Sequence, residues 1–294
     1  MYRPSQKHIE ELQQAAPRAR IDVALTEEEA REKIQYADAV LGNRYFLQSL
    51  PHAEKLLWMQ SNSSGTDLIL RSPLSLHPFL LTSVRGVYDG EIAEHALSLA
   101  LSLSRGIHLY RDAQKQKTWR RFPLAQLQGS RCLILGYGNV GRAIGERLAA
   151  LGAFPEGAGR NTAWQKRLSH TDFLFAALPL TSLTSKLISH AAFNALPPHA
   201  YFINVGRGAT VDEPALLEAI RFQRLQGAAL DVFEEEPLPE HHPFWGEEKI
   251  LLTPHVARSP ETAPYRWEPL FVENLGRFYR GDPLLNRIDK KRGY

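Results

Sequence analysis

The 294-residue chain has a single cysteine, Cys132, and lacks any apolar run of membrane-spanning length. One cysteine excludes an intrachain disulfide, and its position inside a short apolar segment favours inert packing over reactivity. A membrane helix needs roughly 18 successive apolar residues, and the first residues lack the apolar core of a signal peptide. We therefore expect a cytoplasmic protein without a membrane partner.

Concentrated charge of one sign is also missing. The net charge of +3 arises from 35 basic and 32 acidic residues, and only the end of the chain, RIDKKRGY, is locally basic. Proteins that bind nucleic acids usually gather their basic residues in one patch, so we expect no nucleic-acid partner. The apolar content of 44% is that of a globular protein. The length predicts two domains.

Short apolar runs alternate with helical patterns along the first part of the chain. The order predicts a helix at 8–16, a strand at 20–25, a helix at 27–35, and strands at 38–42 and 55–60. Because the chain opens on a helix, the first strand that such domains usually have is not visible. A final helical pattern, at 265–281, is predicted to return to this first domain.

The second part of the chain begins with residues 90–119, whose apolar spacing and lack of proline predict one long helix. Six apolar runs follow, at 131–136, 153–159, 172–178, 200–205, 227–233 and 249–255. Helical patterns separate most of them, as in a parallel sheet covered on both faces. The predicted fold class is α/β, with two Rossmann-like or flavodoxin-like domains that each contain a parallel sheet.

The segment LILGYGNVG contains the G-x-G-x-x-G arrangement typical of dinucleotide-binding sites. Gly136 permits the tight turn, Gly138 lets the backbone approach the phosphates, and Gly141 allows close packing of helix and strand. Asn139 and Val140 begin a helix whose N-terminal amides would face the pyrophosphate. The preceding apolar run and the following helical pattern make a dinucleotide site the favoured interpretation.

The far end of this motif predicts which nucleotide is bound. An acidic residue about 20 positions on usually binds the ribose hydroxyls. Glu156 stands at that count but falls in mid-strand, which leaves Arg160, Asn161 and Thr162 at the strand tip. An arginine pairs with a 2′-phosphate that a carboxylate would repel. We therefore expect NADP, with NAD possible if Arg160 is only a solvated loop residue.

Proline inside a sheet is tolerated essentially only on an edge strand or at a bulge. Pro155 lies within the apolar run 153–159, and the stretch from Arg160 to Asp172 is too short for a helix and a further strand. The run is therefore predicted to form the edge of its sheet, with the usual third strand absent.

Three later segments carry charged groups at predicted strand ends: INVGRGATVDEPAL with Arg207, LDVFEEEPLP with Glu236 and ILLTPHVA with His255. Together with SSGTD, RGVYDGEIAEHAL, GYGNVG and LPLTSLT, they resemble the D-isomer-specific 2-hydroxyacid dehydrogenase family over nearly the whole chain. Among its members, the glyoxylate/hydroxypyruvate reductases are most similar, including the ending RIDKKRGY. The resemblance implies an NAD(P)-dependent enzyme that reduces a small 2-keto acid to the D-2-hydroxy acid.

The resemblance also implies that Arg207, Glu236 and His255 act together in catalysis. A histidine titrates at about 6.5 in water and can protonate the carbonyl oxygen. Glu236 would hydrogen-bond the other ring nitrogen and orient the ring. The planar guanidinium of Arg207 would hold the substrate carboxylate and polarise the carbonyl. Taken singly, these residues would instead be read as a surface ion pair, a solvated acidic turn and a buried histidine.

Further site assignments follow from the same resemblance. It implies substrate contacts at Ser64 and Gly65, and an approach of Asp231 to the nicotinamide amide. It implies a discontinuous substrate domain, residues 1–89 and 267–294, and an inserted dinucleotide-binding domain, residues 90–266. A homodimer formed through the long helix is expected from the family.

Three histidines are interpreted as structural. His241 and His242 have no carboxylate or cysteine at metal-ligand spacing, so no metal site is expected. His95, inside the long helical pattern, is expected to pack and not to catalyse.

Two other functions stay open: a dehydrogenase of a larger, phosphorylated or aromatic 2-hydroxy acid, and a nucleotide-gated interaction protein like the family's corepressors.

Overall fold

A computed structural model describes residues 2–72, 77–258 and 265–294. Its helices are α1 Gln6–Ala15, α2 Glu27–Ile34, α3 Phe46–Ser49, α4 Asp67–Arg71, α5 Asp89–Ser104, α6 Ile107–Lys115, α7 Asn139–Ala150, α8 His190–Ala195, α9 Glu213–Arg221 and α10 Glu268–Arg280. Its strands are β1 Ala39–Leu41, β2 Trp58–Gln60, β3 Leu80–Thr82, β4 Arg131–Leu135, β5 Phe154–Ala158, β6 Phe173–Ala176, β7 Tyr201–Asn204, β8 Gly227–Leu230 and β9 Ile250–Leu252.

The chain divides into two units, Met1–Val87 with Pro260–Tyr294, and Tyr88–Ser259. The two stretches of the first unit are joined by α10, which packs against α1. Asn274 of α10 also donates a hydrogen bond to the buried side chain of Gln60 in β2, at 2.7 Å. Whether these units are the substrate and dinucleotide-binding domains expected from the sequence stays a prediction.

The sheet of the first unit has the parallel order β1-β2-β3 in the described part of the chain. The strand predicted at 20–25 is wrong, since these residues pair with no other strand. Apolar alternation alone does not form a strand, because the backbone needs a partner for its hydrogen bonds. Here the carbonyl of Val23 instead accepts a hydrogen bond from Lys33 Nζ at 2.7 Å.

The second unit contains a six-stranded parallel sheet of order β5-β4-β6-β7-β8-β9. All six predicted apolar runs are strands, and β6, β7 and β8 are buried along their whole length. Two hydrophobic cores cover the sheet, one beneath α8 and α9 and the other beneath α5 and α7. The α/β fold with two parallel-sheet units is thereby confirmed.

The single long helix predicted over 90–119 is wrong. The chain forms α5 and α6, with Gly106 between them at φ +61. Glycine adopts this left-handed conformation at little cost and commonly ends a helix. Apolar spacing continues on both sides of the break, which is why the periodicity did not reveal it.

The predicted edge position of residues 153–159 is confirmed. β5 pairs with β4 alone, and Pro155 lies opposite Cys132 in the register. The connection to β6 contains a 3-10 helix, Trp164–His170, and no strand. The carboxyl end of β5 is therefore flanked by a neighbouring strand on one side only.

Candidate active site

The glycine loop joins β4 to α7, and at Gly136 and Gly141 the backbone leaves no room for a side chain. Gly136 lies at φ +88, and a Cβ there would come within 2.5 Å of the Ala177 carbonyl oxygen. A Cβ on Gly141 would lie 2.3 Å from the Gly136 oxygen. Gly138 is the N-cap of α7, its Cβ direction meets open space, and no side chain caps the helix. The backbone amides at the start of α7 are thus available to an anion.

The tip of β5 carries the residues assigned to the ribose end of the cofactor. Arg160 and Asn161 are exposed. No hydrogen bond or ion pair engages the guanidinium of Arg160 within the described ranges. Thr162 closes a turn, donating from its hydroxyl to the Gly159 carbonyl at 2.6 Å. Glu156 lies in mid-strand, where its carboxylate is 3.5 Å from Arg167, so the acidic residue at the expected count does not reach the tip.

The three residues assigned to catalysis follow neighbouring parallel strands, β7, β8 and β9. The carboxyl ends of parallel strands form one edge of a sheet, which is where open α/β folds place their sites. His255 Nδ1 donates to Glu236 Oε2 at 2.6 Å. The other carboxylate oxygen of Glu236 accepts from the Phe233 N–H at 2.9 Å. The His255 side chain is 51% exposed, so its ring is reachable from solvent.

Arg207 is half-buried in the loop that follows β7. Its carbonyl accepts hydrogen bonds from the hydroxyl of Thr210 at 2.6 Å and the amide of Asn204 at 3.3 Å. The next residue, Gly208, lies directly on the neighbouring loop, because a Cβ there would stand 1.8 Å from the carbonyl carbon of Phe233. The loop with Arg207 therefore packs against the loop with Glu236.

Asp231 fixes the loop that presents His255. Its carbonyl accepts from the His255 N–H at 2.8 Å, and its carboxylate accepts from the N–H groups of Val256 and Ala257, both at 2.9 Å. Three successive amides thus converge on one residue. This holds His255 at φ +53, a left-handed conformation that costs about 1 to 2 kcal/mol for a residue with a side chain.

A histidine that sequence reasoning assigned to packing completes this arrangement. Thr253 Oγ1 donates to Asp231 Oδ1 at 2.6 Å and accepts from His95 Nε2 at 3.0 Å. Burial alone would raise the pKa of the Asp231 carboxyl. The hydrogen bonds from His95, Thr253 and two backbone amides outweigh burial and hold that pKa below its ordinary value. With both oxygens engaged, the assignment of Asp231 to the nicotinamide amide stays a prediction.

The predicted substrate loop follows β2 in the first unit. Ser64 and Gly65 are partly exposed there. Asn43, after β1, and Asn62 exchange backbone-to-side-chain hydrogen bonds at 3.1 and 3.2 Å, which ties the two loops together. Beside them, Arg44 keeps a buried Nε that has no hydrogen-bond partner among the described residues. The roles of Ser64 and Gly65 stay predictions.

Two other expectations concern metals and membranes. Within residues 2–72, 77–258 and 265–294, no three His, Cys, Asp or Glu side chains are grouped so that they could hold a metal ion. In the same part of the chain, no helix combines the length and apolar character that crossing a bilayer requires. The cytoplasmic location stays a prediction.

Comparison with known proteins places this arrangement in context. Residues 97–257 match the model of the D-isomer specific 2-hydroxyacid dehydrogenase NAD binding domain. Glyoxylate/hydroxypyruvate reductase A of Salmonella heidelberg is 30% identical over 79% of this chain and 80% of its own length. A D-isomer specific 2-hydroxyacid dehydrogenase family protein from Aeromonas salmonicida has a TM-score of 0.84 at 34% identity, covering 97% of this chain and 96% of its own.

A further solved structure was determined with a nucleotide. The NADPH-dependent glyoxylate/hydroxypyruvate reductase of Sinorhizobium meliloti, in complex with NADP and sulfate, has a TM-score of 0.83 at 27% identity. The match covers 98% of this chain and 96% of that one.

Proposed function

The chain belongs to the D-isomer-specific 2-hydroxyacid dehydrogenase family, and on that premise we propose that it reduces small 2-keto acids of the glyoxylate or hydroxypyruvate type with NADPH. The observation that carries the proposal is the 2.6 Å hydrogen bond from His255 to Glu236, at the sheet edge that also carries Arg207. Relatives named for this activity, at 30% and 27% identity, support the substrate class.

The glycine loop and the tip of β5 suit a phosphorylated dinucleotide. The uncapped start of α7 and the open side of Gly138 accommodate a pyrophosphate, and the exposed guanidinium of Arg160 suits a 2′-phosphate. Residues 159–163, which follow β5, include no Asp or Glu that could select the ribose hydroxyls of NAD. NADPH, when bound, supplies the hydride that adds to the keto carbon.

The side chains assigned to the substrate carbonyl donate the proton and stabilise the negative charge that develops on its oxygen. Glu236 accepts from Nδ1 and so fixes the imidazole of His255, leaving Nε2 to donate a proton to the carbonyl oxygen. Arg207 binds the substrate carboxylate and stabilises the negative charge that develops on the oxygen. We expect His255→Ala to lower kcat by roughly 100- to 10,000-fold, the usual contribution of a general acid.

Steady-state assays test this function directly. Purified protein is mixed with NADPH or NADH and with glyoxylate, hydroxypyruvate, phenylpyruvate or a phosphorylated keto acid. The highest kcat/KM is expected with NADPH and one of the first two substrates. Turnover confined to the larger acids would correct the substrate class. Cofactor binding without turnover on any acid would reject the enzyme and favour an interaction protein.

Cofactor choice has its own test. Arg160→Asp places a carboxylate at the strand tip and is expected to lower kcat/KM for NADPH by at least tenfold, about 1.4 kcal/mol, while sparing NADH. The control is Lys166→Asp, which makes the same charge change on the 3-10 helix after β5. An unchanged preference in Arg160→Asp would refute the assigned phosphate contact.

We also propose a homodimer that forms through the segment of α5, α6 and the chain that follows them. This segment exposes Leu101, Ile107 and Trp119, and Trp119 is 95% exposed. Exposed apolar side chains grouped on one segment commonly mark a protein interface. Light scattering after gel filtration is expected to give twice the 33.2 kDa mass of the chain, and Ile107→Glu to lower it.

A further inference from the structure

Glu213 is a buried carboxylate that the proposed chemistry does not use. It is the first residue of α9 and is only 9% exposed. Its Oε1 accepts a hydrogen bond from the Glu234 N–H at 2.8 Å. Its Oε2 lies 3.3 Å from His242 Nε2. A buried carboxylate is costly unless donors satisfy both of its oxygens, and here these two groups face them.

A hydrogen bond to His242 determines which of its ring nitrogens faces Glu213. Its Nδ1 accepts from the Phe244 N–H at 3.3 Å, so this nitrogen carries no proton. The ring hydrogen must then reside on Nε2, the nitrogen that faces Glu213. Nε2 of His242 therefore faces the carboxylate of Glu213, at 3.3 Å.

This pair adjoins the turn that carries Glu236. Glu234, whose N–H is held by Glu213, lies two residues before Glu236 in the chain. The preceding N–H, of Phe233, donates to Glu236 itself, and the Phe233 backbone packs against Gly208. Lys186 and Glu234 also form a solvent-exposed ion pair at 3.4 Å, a type that contributes little. Glu213 is thus the buried anchor of the turn.

We propose that Glu213 and His242 form a positioning pair that sets the orientation of Glu236 and, through it, of His255. The inference rests on the proposed function for the meaning of His255, but the geometry it asserts does not depend on turnover. Neither residue touches the reacting atoms in this scheme. His242 acquires a role as the ring whose Nε2 lies 3.3 Å from the buried carboxylate of Glu213.

Four substitutions separate this role from general stability. Glu213→Ala and His242→Ala remove the pair, whereas Glu213→Gln keeps an oxygen for the Glu234 N–H. His242→Gln places an amide N–H near the position of Nε2. His241→Ala is the matched control, since His241 is the exposed neighbour. The alanine variants are expected to lose about 10- to 100-fold in kcat, because small displacements of catalytic groups cost that much, with the KM for NADPH unchanged. His242→Gln should retain most of the activity, whereas Glu213→Gln should lose part of it, because its amide NH2 would face Nε2 of His242 in place of an acceptor oxygen.

The pH profile provides a second measure. A displaced Glu236 stabilises the protonated ring of His255 less well, so the alkaline limb of kcat/KM should move to lower pH in Glu213→Ala. Lys186, which faces the same turn, is unchanged in every variant. A fall in thermal stability with an unmoved profile would assign the pair a structural role only and overturn the proposal.

Proton NMR tests the geometry without substrate. The hydrogen in the 2.6 Å bond between His255 Nδ1 and Glu236 should give a strongly downfield resonance, assigned by its loss in His255→Ala. That resonance should shift or broaden in Glu213→Ala and Glu213→Gln, and persist in His241→Ala. An unchanged resonance in both Glu213 variants would refute the pair. If the wild-type protein turned over no keto acid, the proposed function would fail, while this measurement would still decide the inference.

Discussion

Replacing Asp231 with asparagine tests how far one buried carboxylate controls the loop of His255. The carboxylate oxygen that accepts hydrogen bonds from Thr253 and Val256 can be retained as the amide oxygen of asparagine. The amide NH2 must then face the N–H of Ala257, which donates to the other oxygen at 2.9 Å. Two donors would oppose each other in a site where Asp231 is 1% exposed. The variant therefore loses one charge-assisted hydrogen bond and leaves a buried donor without a partner.

Each of these losses has a known scale. A hydrogen bond to a charged group contributes about 1.5 to 3 kcal/mol, and an orphaned buried donor costs about 1 to 3 kcal/mol. The two overlap, so we expect a free energy of unfolding lower by about 3 kcal/mol, read from urea denaturation followed by circular dichroism. Release of His255 from its left-handed conformation should also lower kcat by about 100-fold.

The pH dependence of this effect has a defined sign. The pKa of Asp231 is lowered in the folded protein from an ordinary value of 3.8, because the hydrogen bonds to it outweigh burial. A carboxyl with a depressed folded pKa contributes stability above its unfolded pKa and loses it as the pH falls through the folded value. The difference between wild type and Asp231→Asn should therefore be constant near neutral pH and shrink below about pH 4.

The control is Asp112→Asn. The wild-type carboxylate of Asp112 is 62% exposed and pairs with Lys115 on the surface of α6. It should change the free energy of unfolding by less than about 0.5 kcal/mol. If Asp231→Asn destabilised the protein by less than about 1 kcal/mol and left kcat within threefold, the role assigned to Asp231 would be wrong.

Three further outcomes are expected. Gly157→Ala places a Cβ 2.2 Å from Tyr137 Cγ and should raise the KM for NADPH by displacing the glycine loop. Adding Tyr137→Ala should lower that KM part of the way back, and no recovery would contradict this cause. Gly208→Ala, whose Cβ would collide with the Phe233 backbone, should abolish activity with no single compensating side-chain change, and near-normal kcat would disprove the packing. Burial, assisted by the charge of Asp172, raises the pKa of the Cys132 thiol to about 12. The thiol should therefore resist iodoacetamide at pH 8 until the protein is unfolded. Rapid labelling of the native protein would show the thiol to be accessible.

The sequence predicts the second unit well because its sheet is covered on both faces. Strands buried on two sides are apolar throughout, so β6, β7 and β8 are visible without knowledge of their neighbours. The edge strand is also predictable, because Pro155 and the short connection to β6 restrict it in the same way. These signals lie within single segments of the chain.

The errors in fold prediction concern features that depend on a partner or on one backbone angle. Residues 20–25 alternate like a strand but have no adjacent strand to pair with. The helix over 90–119 is interrupted at Gly106, where a φ of +61 ends α5 although the apolar spacing continues. Neither property can be read from local periodicity.

The candidate site likewise contains residues that local motifs predict and residues that they do not. Motifs identify Arg207, Glu236 and His255, and the structure joins the last two at 2.6 Å. His95 contacts Thr253 across 158 positions of sequence, a separation that no local pattern bridges. The available signal for His95 was a polar ring placed in an otherwise apolar helix, and that signal does not distinguish packing from positioning.

The loops after β7, β8 and β9 are stabilised in the same way, and this determines which substitutions the candidate site tolerates. The side chains assigned to catalysis project from loops held by buried polar residues: Asn204, Glu213 and Asp231. Substitution of these anchors should alter kcat, because it would displace the residues assigned to catalysis. The tip of β5 has no such anchor and is open on one side. Its side chains can therefore be exchanged at little structural cost, which makes cofactor choice at this site easier to alter than the chemistry.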